Sequence, residues 1–166
     1  MQTIHAIGGN RQILDVLGVA VEFVTTPAEA ANLYCVIKGT IPPGMAVPLH
    51  SHPDPESFYI VSGSEQILAP IRDRLEWLDV KAGDFVHIPG GAKHAHRNTS
   101  AQPVVELVIT SAALGRFFEE AGRPMEDDVV GRTPSAADVE RLQRVAAKYG
   151  HWLATPAENG AVGINL

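Results

Sequence analysis

The chain has 166 residues, the usual length of one domain with a single buried core. Hydrophobic residues make up 45% and charged residues 19%, which is a globular composition and excludes a disordered chain. The formal net charge of -6 makes a broad basic face for nucleic acid or an anionic membrane unexpected. Cys35 is the only cysteine, so an intrachain disulfide and a thiolate-rich metal site are excluded.

The apolar stretches are too short to cross a membrane. Residues 16–24 and 104–109 are among the longest, and Glu22 and Glu106 interrupt them, whereas a spanning helix needs about 20 apolar residues. The first residues contain no basic segment followed by an apolar run, so no signal peptide is expected. We therefore expect a cytoplasmic protein that binds neither a membrane nor nucleic acid.

The middle of the chain predicts short strands separated by turns. The 15 Gly and 12 Pro residues are scattered along the chain, a distribution that favours many tight turns and an all-β fold. Runs of this length and spacing are typical of a sandwich, jelly roll or barrel. The predicted strands occupy residues 33–38, 57–62, 66–71, 75–80, 85–88 and 104–110.

The hydrophobic pattern becomes helical after the last predicted strand. Apolar residues recur at helical spacing from Leu114 to Ala121, and Gly122 is a suitable stop. A second helix is predicted between the cap Thr133-Pro134-Ser135 and Gly150, with one apolar stripe along it. We expect both helices to pack on the outside of the β core.

These patterns divide the chain into two parts of one domain. Residues 1–110 are predicted to form a β-barrel with N-terminal strands, and residues 111–166 a C-terminal helical extension. The tail at residues 159–166 shows little apolar pattern that would anchor it, so a mobile tail is expected.

Five of the 7 histidines lie in the middle of the chain. His50 and His52 are two residues apart, so on an extended strand their side chains point to the same face. Glu56 follows four residues later, and His94 comes after the turn Pro89-Gly90-Gly91. Three imidazoles and one carboxylate on one concave face would bind one divalent transition metal, and iron, manganese, nickel, zinc and copper all accept these ligands.

Two glycine-punctuated segments carry these residues in order. The first, residues 44–63, holds the His-X-His pair and Glu56, and the second, residues 83–98, holds His94. Both segments match the two motifs of the cupin superfamily at every fixed position, and the stretch between them is short. The match covers about a third of the chain. In its motifs and added helices the chain resembles small single-domain cupins described as quercetin-dioxygenase-like.

The resemblance implies a small double-stranded β-helix, a jelly-roll barrel with the metal inside. It places four residues at the ligand positions: His50, His52, Glu56 and His94. It places five others at turn or structural positions: Gly44, Gly63, Gly83, Gly91 and Asn98. A small barrel has room inside for side chains or one small ligand. Four protein ligands leave two positions of an octahedral ion open for water, a bidentate substrate or dioxygen.

Strand parity adds candidates for a substrate pocket. Phe58 and Ile60 share the parity of Glu56 and are expected to line the cavity. His96 lies two residues after His94 and should share its inward face. Two interpretations of His96 remain open, an acid–base role and a pocket-lining role without chemistry.

Other polar residues receive interpretations that involve no chemistry. Glu106 interrupts an apolar strand and is read as a solvent-facing or interface carboxylate. His87 is read as a packing or interface residue, and Cys35 as a small buried hydrophobe. The residues around His5 and His151 in the sequence indicate no role for either histidine.

Two functions are compatible with the sequence. The first is a metal-dependent enzyme acting on a small organic molecule of aromatic or enol type, with dioxygenase-like chemistry favoured. In it Glu56 doubles as a proton acceptor, and His96 is the second catalytic candidate. The alternative is a non-catalytic cupin that binds a metal-chelated small molecule as a sensor or binding protein. An open path to the metal and a second polar group beside it would favour the enzyme.

The apolar pattern also predicts a homodimer. Tyr59 and Val61 should face away from the cavity, and so should one face of the strand at residues 104–110. Two modest helices leave these apolar faces without full cover. Cupins of this size commonly pair through a sheet face and exchanged N-terminal strands, for which residues 19–24 are suited. Two-fold dimers are also the commonest assembly.

Overall fold

The computed structural model describes residues 11–125 and 134–165, which form two antiparallel sheets and three helices. His5 and Thr133, which the sequence analysis considered, lie outside the described residues. In chain order the strands are β1 (Ile13–Val16), β2 (Val19–Thr25), β3 (Tyr34–Ile41), β4 (Ala46–Ser51), β5 (Glu56–Ser62), β6 (Ser64–Ile71), β7 (Arg74–Lys81), β8 (Phe85–Ile88), β9 (His94–Arg97), β10 (Val104–Ser111), β11 (Arg123–Pro124) and β12 (Trp152–Leu153). The helices are α1 (Ala112–Ala121), α2 (Ala136–Lys148) and α3 (Pro156–Ala161).

The two sheets face each other as the walls of a jelly-roll barrel. The larger sheet has the order β11-β1-β2-β3-β10-β5-β8, and the smaller has the order β12-β4-β9-β6-β7. Strands far apart in sequence are neighbours, as β10 is of β3 and β5, which is the crossing pattern of a jelly roll. The all-β prediction is confirmed, and the six strands it located lie within one or two residues of the observed bounds, apart from the C-terminal end of the first.

Inward-facing apolar residues from both sheets fill the barrel. Strand β10 shows the alternation clearly, since Val104 and Val108 are buried while Ile109 is exposed. Ile37 and Ile60 of the larger sheet meet Ile67 of the smaller in the same buried cluster. This interior is the space into which the candidate site residues project.

The predicted glycine turns are present at all four positions. Gly44, Gly63, Gly83 and Gly91 have φ angles of 74°, 82°, 93° and 81°. At Gly63 a side chain would also collide with the backbone, because a Cβ would lie 2.6 Å from the carbonyl oxygen of Pro103. The interpretation of these residues as turn formers is confirmed.

Asn98 is a structural residue, as expected. It is fully buried, and its Nδ2 donates hydrogen bonds to the carbonyl oxygens of Ile41, at 3.0 Å, and Gln102, at 2.8 Å. Its Oδ1 accepts from the backbone N–H of Ser100 at 3.0 Å. These bonds satisfy buried backbone groups in the loop that joins β9 to β10.

The helices pack on the outside of the barrel, as predicted. Ser111 caps α1, and the Ser135 side chain forms a capping box at the start of α2. Leu114 and Phe117 of α1 pack against Val145 of α2. Among the described residues, no helix is long and apolar enough to span a bilayer.

The C-terminal part also contributes to both sheets. Strand β11 pairs with β1, and β12 pairs with β4, where Leu153 lies opposite His50. Residues 111–166 therefore add sheet edges to the barrel as well as helices.

The expectation of a mobile tail was wrong. Asn159 is fully buried, and its Oδ1 accepts a hydrogen bond from the backbone N–H of Leu49 at 2.8 Å. Ile164 is 2% exposed and packs in a cluster with Leu49 and Leu68. One buried amide and one buried aliphatic side chain anchor the tail, and neither produces a periodic sequence pattern.

Replacing Asn159 by Ala should destabilise the protein by about 2–3 kcal/mol, because the Leu49 N–H loses its only described acceptor in a buried place. The midpoint and slope of urea unfolding measure this free energy. Gln143→Ala, at an exposed position of α2, is the control and should leave the midpoint unchanged. Equal midpoints for both variants would contradict the anchoring role.

Candidate metal centre

Three strands bring the predicted ligand residues to one end of the barrel. His50 lies on β4 opposite His94, the first residue of β9, and Glu56 is the first residue of β5. His52 follows β4 directly. One ligating atom from each of the four residues lies within 4.8 Å of the other three. The predicted convergence of these side chains on one face is therefore present.

The turn that precedes His94 is packed onto the segment that follows His52. The Gly91 N–H donates a hydrogen bond to the carbonyl oxygen of His52 at 2.7 Å. A Cβ at Gly90 would lie 2.0 Å from the carbonyl oxygen of Pro53, so only glycine fits there. This backbone contact fixes the two motif segments against each other.

The side chains meet at the Glu56 carboxylate. The Nε2 atoms of His52 and His94 lie 3.0 and 3.1 Å from Glu56 Oε2. The ring centroids of His50 and His94 are 4.2 Å apart. Three of the four residues are buried and His50 is half-buried, so the cluster is most accessible from the His50 side.

Backbone carbonyls determine which ring nitrogen carries the proton. Nδ1 of His50 donates to the carbonyl oxygen of Pro48 at 2.7 Å, and Nδ1 of His94 donates to that of Ala92 at 3.0 Å. In a neutral ring this arrangement leaves a lone pair on Nε2. Nε2 of His94 lies 3.1 Å from a carboxylate oxygen of Glu56, so either a proton or a metal ion can lie between the imidazole and the carboxylate.

The donor set fits a divalent metal ion. A backbone carbonyl that holds the Nδ1–H of an imidazole is the usual partner of a metal-binding histidine. Imidazole nitrogens and one carboxylate oxygen suit first-row divalent ions. A cation at the point where these atoms converge would satisfy both the lone pair of His94 and the charge of Glu56.

The charges of the cluster agree with this fit. Burial acts to raise the pKa of Glu56, but hydrogen bonds with His52 and His94 outweigh it and lower the pKa below its ordinary value. Burial, reinforced by His94, lowers the pKa of His50 well below its ordinary value. Burial also acts to lower the pKa of His52, and the hydrogen bond with Glu56 raises it overall. The ionised Glu56 and the neutral His50 are in the forms that bind metals, whereas His52 binds a metal only after it loses its proton.

His151 lies beside the cluster, although the sequence analysis assigned no role to it. Its ring centroid is 5.1 Å from that of His52 and 4.2 Å from that of Phe117. Its Nε2 is buried without a hydrogen-bond partner among the described residues, and burial lowers its pKa to about 4. No motif or spacing links residue 151 to residue 52, so only the packing of the C-terminal extension reveals it.

The interpretation of Glu106 as a solvent-facing carboxylate was wrong. Glu106 is 5% exposed and points into the barrel, as do Val104 and Val108 on the same face of β10. It lies near His96 and Glu65, and the three form a second group of ligand-type side chains within 4.8 Å of one another. The sequence correctly predicted that Glu106 shares one face of β10 with Val104 and Val108. It wrongly predicted that this face lies on the outside of the barrel.

The predicted pocket residues point inward and are buried. Phe58, Ile60 and His96 are 3%, 0% and 3% exposed, and the ring centroids of Phe58 and His96 are 4.7 Å apart. Two surface cavities of about 340 and 220 Å³ lie elsewhere, and neither is lined by these three residues. A pocket at the metal centre stays a prediction.

The residues assigned to the outer face are found there. Tyr59 and Val61 are 43% and 47% exposed. His87 is exposed, and its Nδ1 forms a hydrogen bond with the Ser57 hydroxyl at 2.9 Å. Cys35 is fully buried, and burial raises the pKa of its thiol to about 12.

Comparison with known proteins identifies the fold family. The model of the cupin domain family matches residues 38–110, a stretch that contains all four residues of the cluster. Residues 38–110 are therefore similar to a cupin domain. A search of the curated proteins finds no match to this chain.

Solved structures share the cupin fold. A protein from Thermotoga maritima, described as a predicted oxalate decarboxylase, is 23% identical with a TM-score of 0.51, over 56% of this chain and 79% of that one. Oxalate decarboxylase from Bacillus subtilis is 22% identical with a TM-score of 0.54, over 61% of this chain and 27% of that one. The enzyme from Lactobacillus farciminis has the same identity and TM-score, over 61% and 31%. These matches show the fold alone, and this chain spans about a third or less of the last two chains.

Added divalent metal should raise the thermal unfolding midpoint of the metal-free protein, because an ion that binds only the folded chain stabilises it by mass action. With free Zn²⁺ at about 100 times its Kd, the gain is about 2.7 kcal/mol. His94→Ala should reduce the shift by the part that comes from this centre, whereas His87→Ala, on the outer face, should keep all of it. Differential scanning calorimetry measures the midpoints. A shift of the same size in the His94→Ala protein would contradict the ligand assignment.

Proposed function

We propose that this protein is a metal-dependent enzyme that acts on a small organic molecule. One divalent transition metal, from iron, manganese, nickel, zinc and copper, is bound by His50, His52, Glu56 and His94. The observation that carries the proposal is the convergence of three imidazoles and one carboxylate, with His94 Nε2 3.1 Å from Glu56 Oε2 while Ala92 holds the proton on Nδ1. A cation bound at that point leaves coordination positions for a substrate.

The residues of this chain bind and orient the substrate. When bound, the metal supplies a Lewis acid that polarises an oxygen atom of the substrate. Glu56 is buried at the centre of the cluster, where we propose that it also accepts a proton from a hydroxyl group that approaches the metal. Phe58 and Ile60 give the inner side of the site an apolar, water-excluding wall.

Two further histidines supply polar contacts. His151 has an unpaired, buried Nε2 beside His52, so it offers a hydrogen bond to a molecule held at the cluster. His96 lies on the opposite side, with its ring centroid 6.1 Å from that of His94. We propose His96 as a pocket residue that contacts the substrate. A second polar group beside the metal favours an enzyme over a protein that merely holds a chelate.

The surroundings of the cluster suit a substrate with adjacent oxygen atoms on an aromatic or enol framework. Adjacent oxygens chelate one ion, and the flat apolar part of the molecule packs against Phe58. Dioxygenase-like chemistry is the first reaction to test. Decarboxylation is the rival reaction, because structures of similar fold are named oxalate decarboxylases.

A turnover screen tests the function. The metal-free protein is loaded anaerobically with each of the five metals and mixed with catechols, flavonols, 1,3-diketones or oxalate. Oxygen consumption reports dioxygenase chemistry and released carbon dioxide reports decarboxylation. Substrates that bind at the metal without turnover under any metal would favour the non-catalytic alternative.

His96→Ala should retain the metal at the His50 centre but lose at least tenfold in substrate affinity or turnover, because a contact is removed outside the ligand set. His87→Ala is the matched control and should leave both quantities unchanged, since it faces away from the barrel interior. Isothermal titration calorimetry gives the affinity, and the assay above gives turnover. Unchanged binding and turnover in His96→Ala would show that the pocket is wrongly placed.

We also propose that the protein is a homodimer joined through the outer face of the larger sheet. Tyr59 lies opposite Leu107 and Phe85 on neighbouring strands, and Phe85 is 60% exposed. Ile109 and Val61 extend the same face and are 45% and 47% exposed. An exposed apolar patch of this kind marks an interaction surface. Strand β2 pairs with β3 of its own chain, so the proposal rests on the sheet face and not on exchanged strands.

Light scattering at micromolar concentration should give about twice the chain mass of 17.8 kDa. Phe85→Glu should shift the protein to monomer, because a charge would be buried in the apolar interface. Leu75→Glu, at an exposed position of the smaller sheet, should stay dimeric. A monomeric wild-type protein would reject the dimer.

A further inference from the structure

A second group of ligand-type side chains lies deeper in the barrel than the proposed metal centre. His94 and His96 are both inward-facing on β9, so His96 projects one layer further along the same wall. Glu106 of β10 and Glu65 of β6 project into the barrel beside it. One ligating atom from each of the three lies within 4.8 Å of the other two. The proposed function uses neither carboxylate.

These three side chains are buried and incompletely paired. Glu65, His96 and Glu106 are 3%, 3% and 5% exposed. Glu65 Oε1 and Glu106 Oε2 have no hydrogen-bond partner among the described residues. Buried polar atoms in native proteins are nearly always satisfied, so these two oxygens indicate a missing partner.

The spacing of the group leaves room for an ion. Nδ1 of His96 and Oε2 of Glu65 are 3.3 Å apart, longer than the 2.7–2.9 Å of a charge-assisted hydrogen bond. Two atoms that each lie about 2.1 Å from one metal ion are separated by roughly 3.0–3.4 Å. On the neighbouring strand β3, Gly39 is paired with Glu106 and makes space for its carboxylate, since a Cβ there would lie 3.1 Å from Glu106 Oε1.

The charge of the group also requires compensation. Among the described residues, no Lys or Arg forms an ion pair with Glu65 or Glu106. Burial raises the pKa of Glu65 to about 7, although a hydrogen bond with Glu106 acts to lower it, and burial with repulsion from Glu65 raises the pKa of Glu106 well above its ordinary value. Both shifts favour protonated carboxyl groups when no cation is bound. A divalent cation that displaced the protons would neutralise both carboxylates in this apolar surrounding.

We propose that Glu65, His96 and Glu106 bind a second divalent cation inside the barrel. Two carboxylates and one imidazole suit Mn²⁺, Fe²⁺ or Zn²⁺. With Nδ1 of His96 on this cation, the proton lies on Nε2, so His96 still offers a donor as a pocket residue. The competing arrangement is a proton shared between the two carboxyl groups, which needs no metal.

Mn²⁺ titration of the whole chain distinguishes the two arrangements. The protein is refolded from urea in the presence of Mn²⁺, so that a closed barrel does not block entry, and free Mn²⁺ is counted by electron paramagnetic resonance. We expect two Mn²⁺ per wild-type chain and one in Glu106→Gln and in Glu65→Gln. A glutamine keeps the shape and a hydrogen bond but supplies no anionic ligand. Glu140→Gln, at an exposed position of α2, should keep both ions.

His50→Ala separates this site from the proposed metal centre. It should retain one Mn²⁺ at the deeper site, and that ion should be lost when Glu106→Gln is added. One Mn²⁺ in the wild type with none in His50→Ala would overturn the second site while leaving the proposed function intact. One Mn²⁺ that is lost in Glu106→Gln but kept in His50→Ala would support the second site and contradict the proposed centre. Two Mn²⁺ retained in both folded glutamine variants would also overturn the proposal.

Discussion

The contact between His94 Nε2 and Glu56 Oε2 is the constraint on which the site end of the barrel depends. The carbonyl oxygen of Ala92 accepts a hydrogen bond from Nδ1–H of His94, and Nε2 lies 3.1 Å from the buried Glu56 carboxylate. A carboxylate buried in this way needs a positive charge beside it, from a protonated imidazole or from a metal ion. Gly90 and Gly91 enforce it, because the turn they form packs directly on the backbone of His52 and Pro53.

The barrel interior changes character along its length. The metal-ligand cluster lies at the end of the barrel that holds the half-buried His50. Phe58 and Ile60 are buried apolar residues of the same interior, and Glu65, His96 and Glu106 form a second polar group there. His96 lies between the two polar groups, with its ring centroid 6.1 Å from that of His94 and its Nδ1 3.3 Å from Glu65 Oε2.

Residues of the C-terminal extension contact the metal-ligand cluster as well as cover the outside of the barrel. Strand β12 pairs with the strand that carries His50, and the residue before it, His151, packs against His52. Asn159 of α3 accepts a hydrogen bond from the backbone N–H of Leu49, the residue before His50, and so anchors this helix beside the cluster. The C-terminal extension therefore contacts the cluster through His151 and the strand that carries His50 through β12 and Asn159.

The sequence by itself determined the all-β class, the positions of six of the twelve strands in the described residues, the glycine turns and the four clustered residues. These features are local, because strand parity and motif spacing place His50, His52 and Glu56 on one face without knowledge of the rest. Only the tertiary structure decided that the Glu106 face is the interior and that Glu65 lies beside Glu106. It also decided that His151 packs against His52 and that Asn159 bonds to the backbone of β4. Parity separates two faces of a strand but does not say which is covered, since that depends on pairing between residues far apart in the chain.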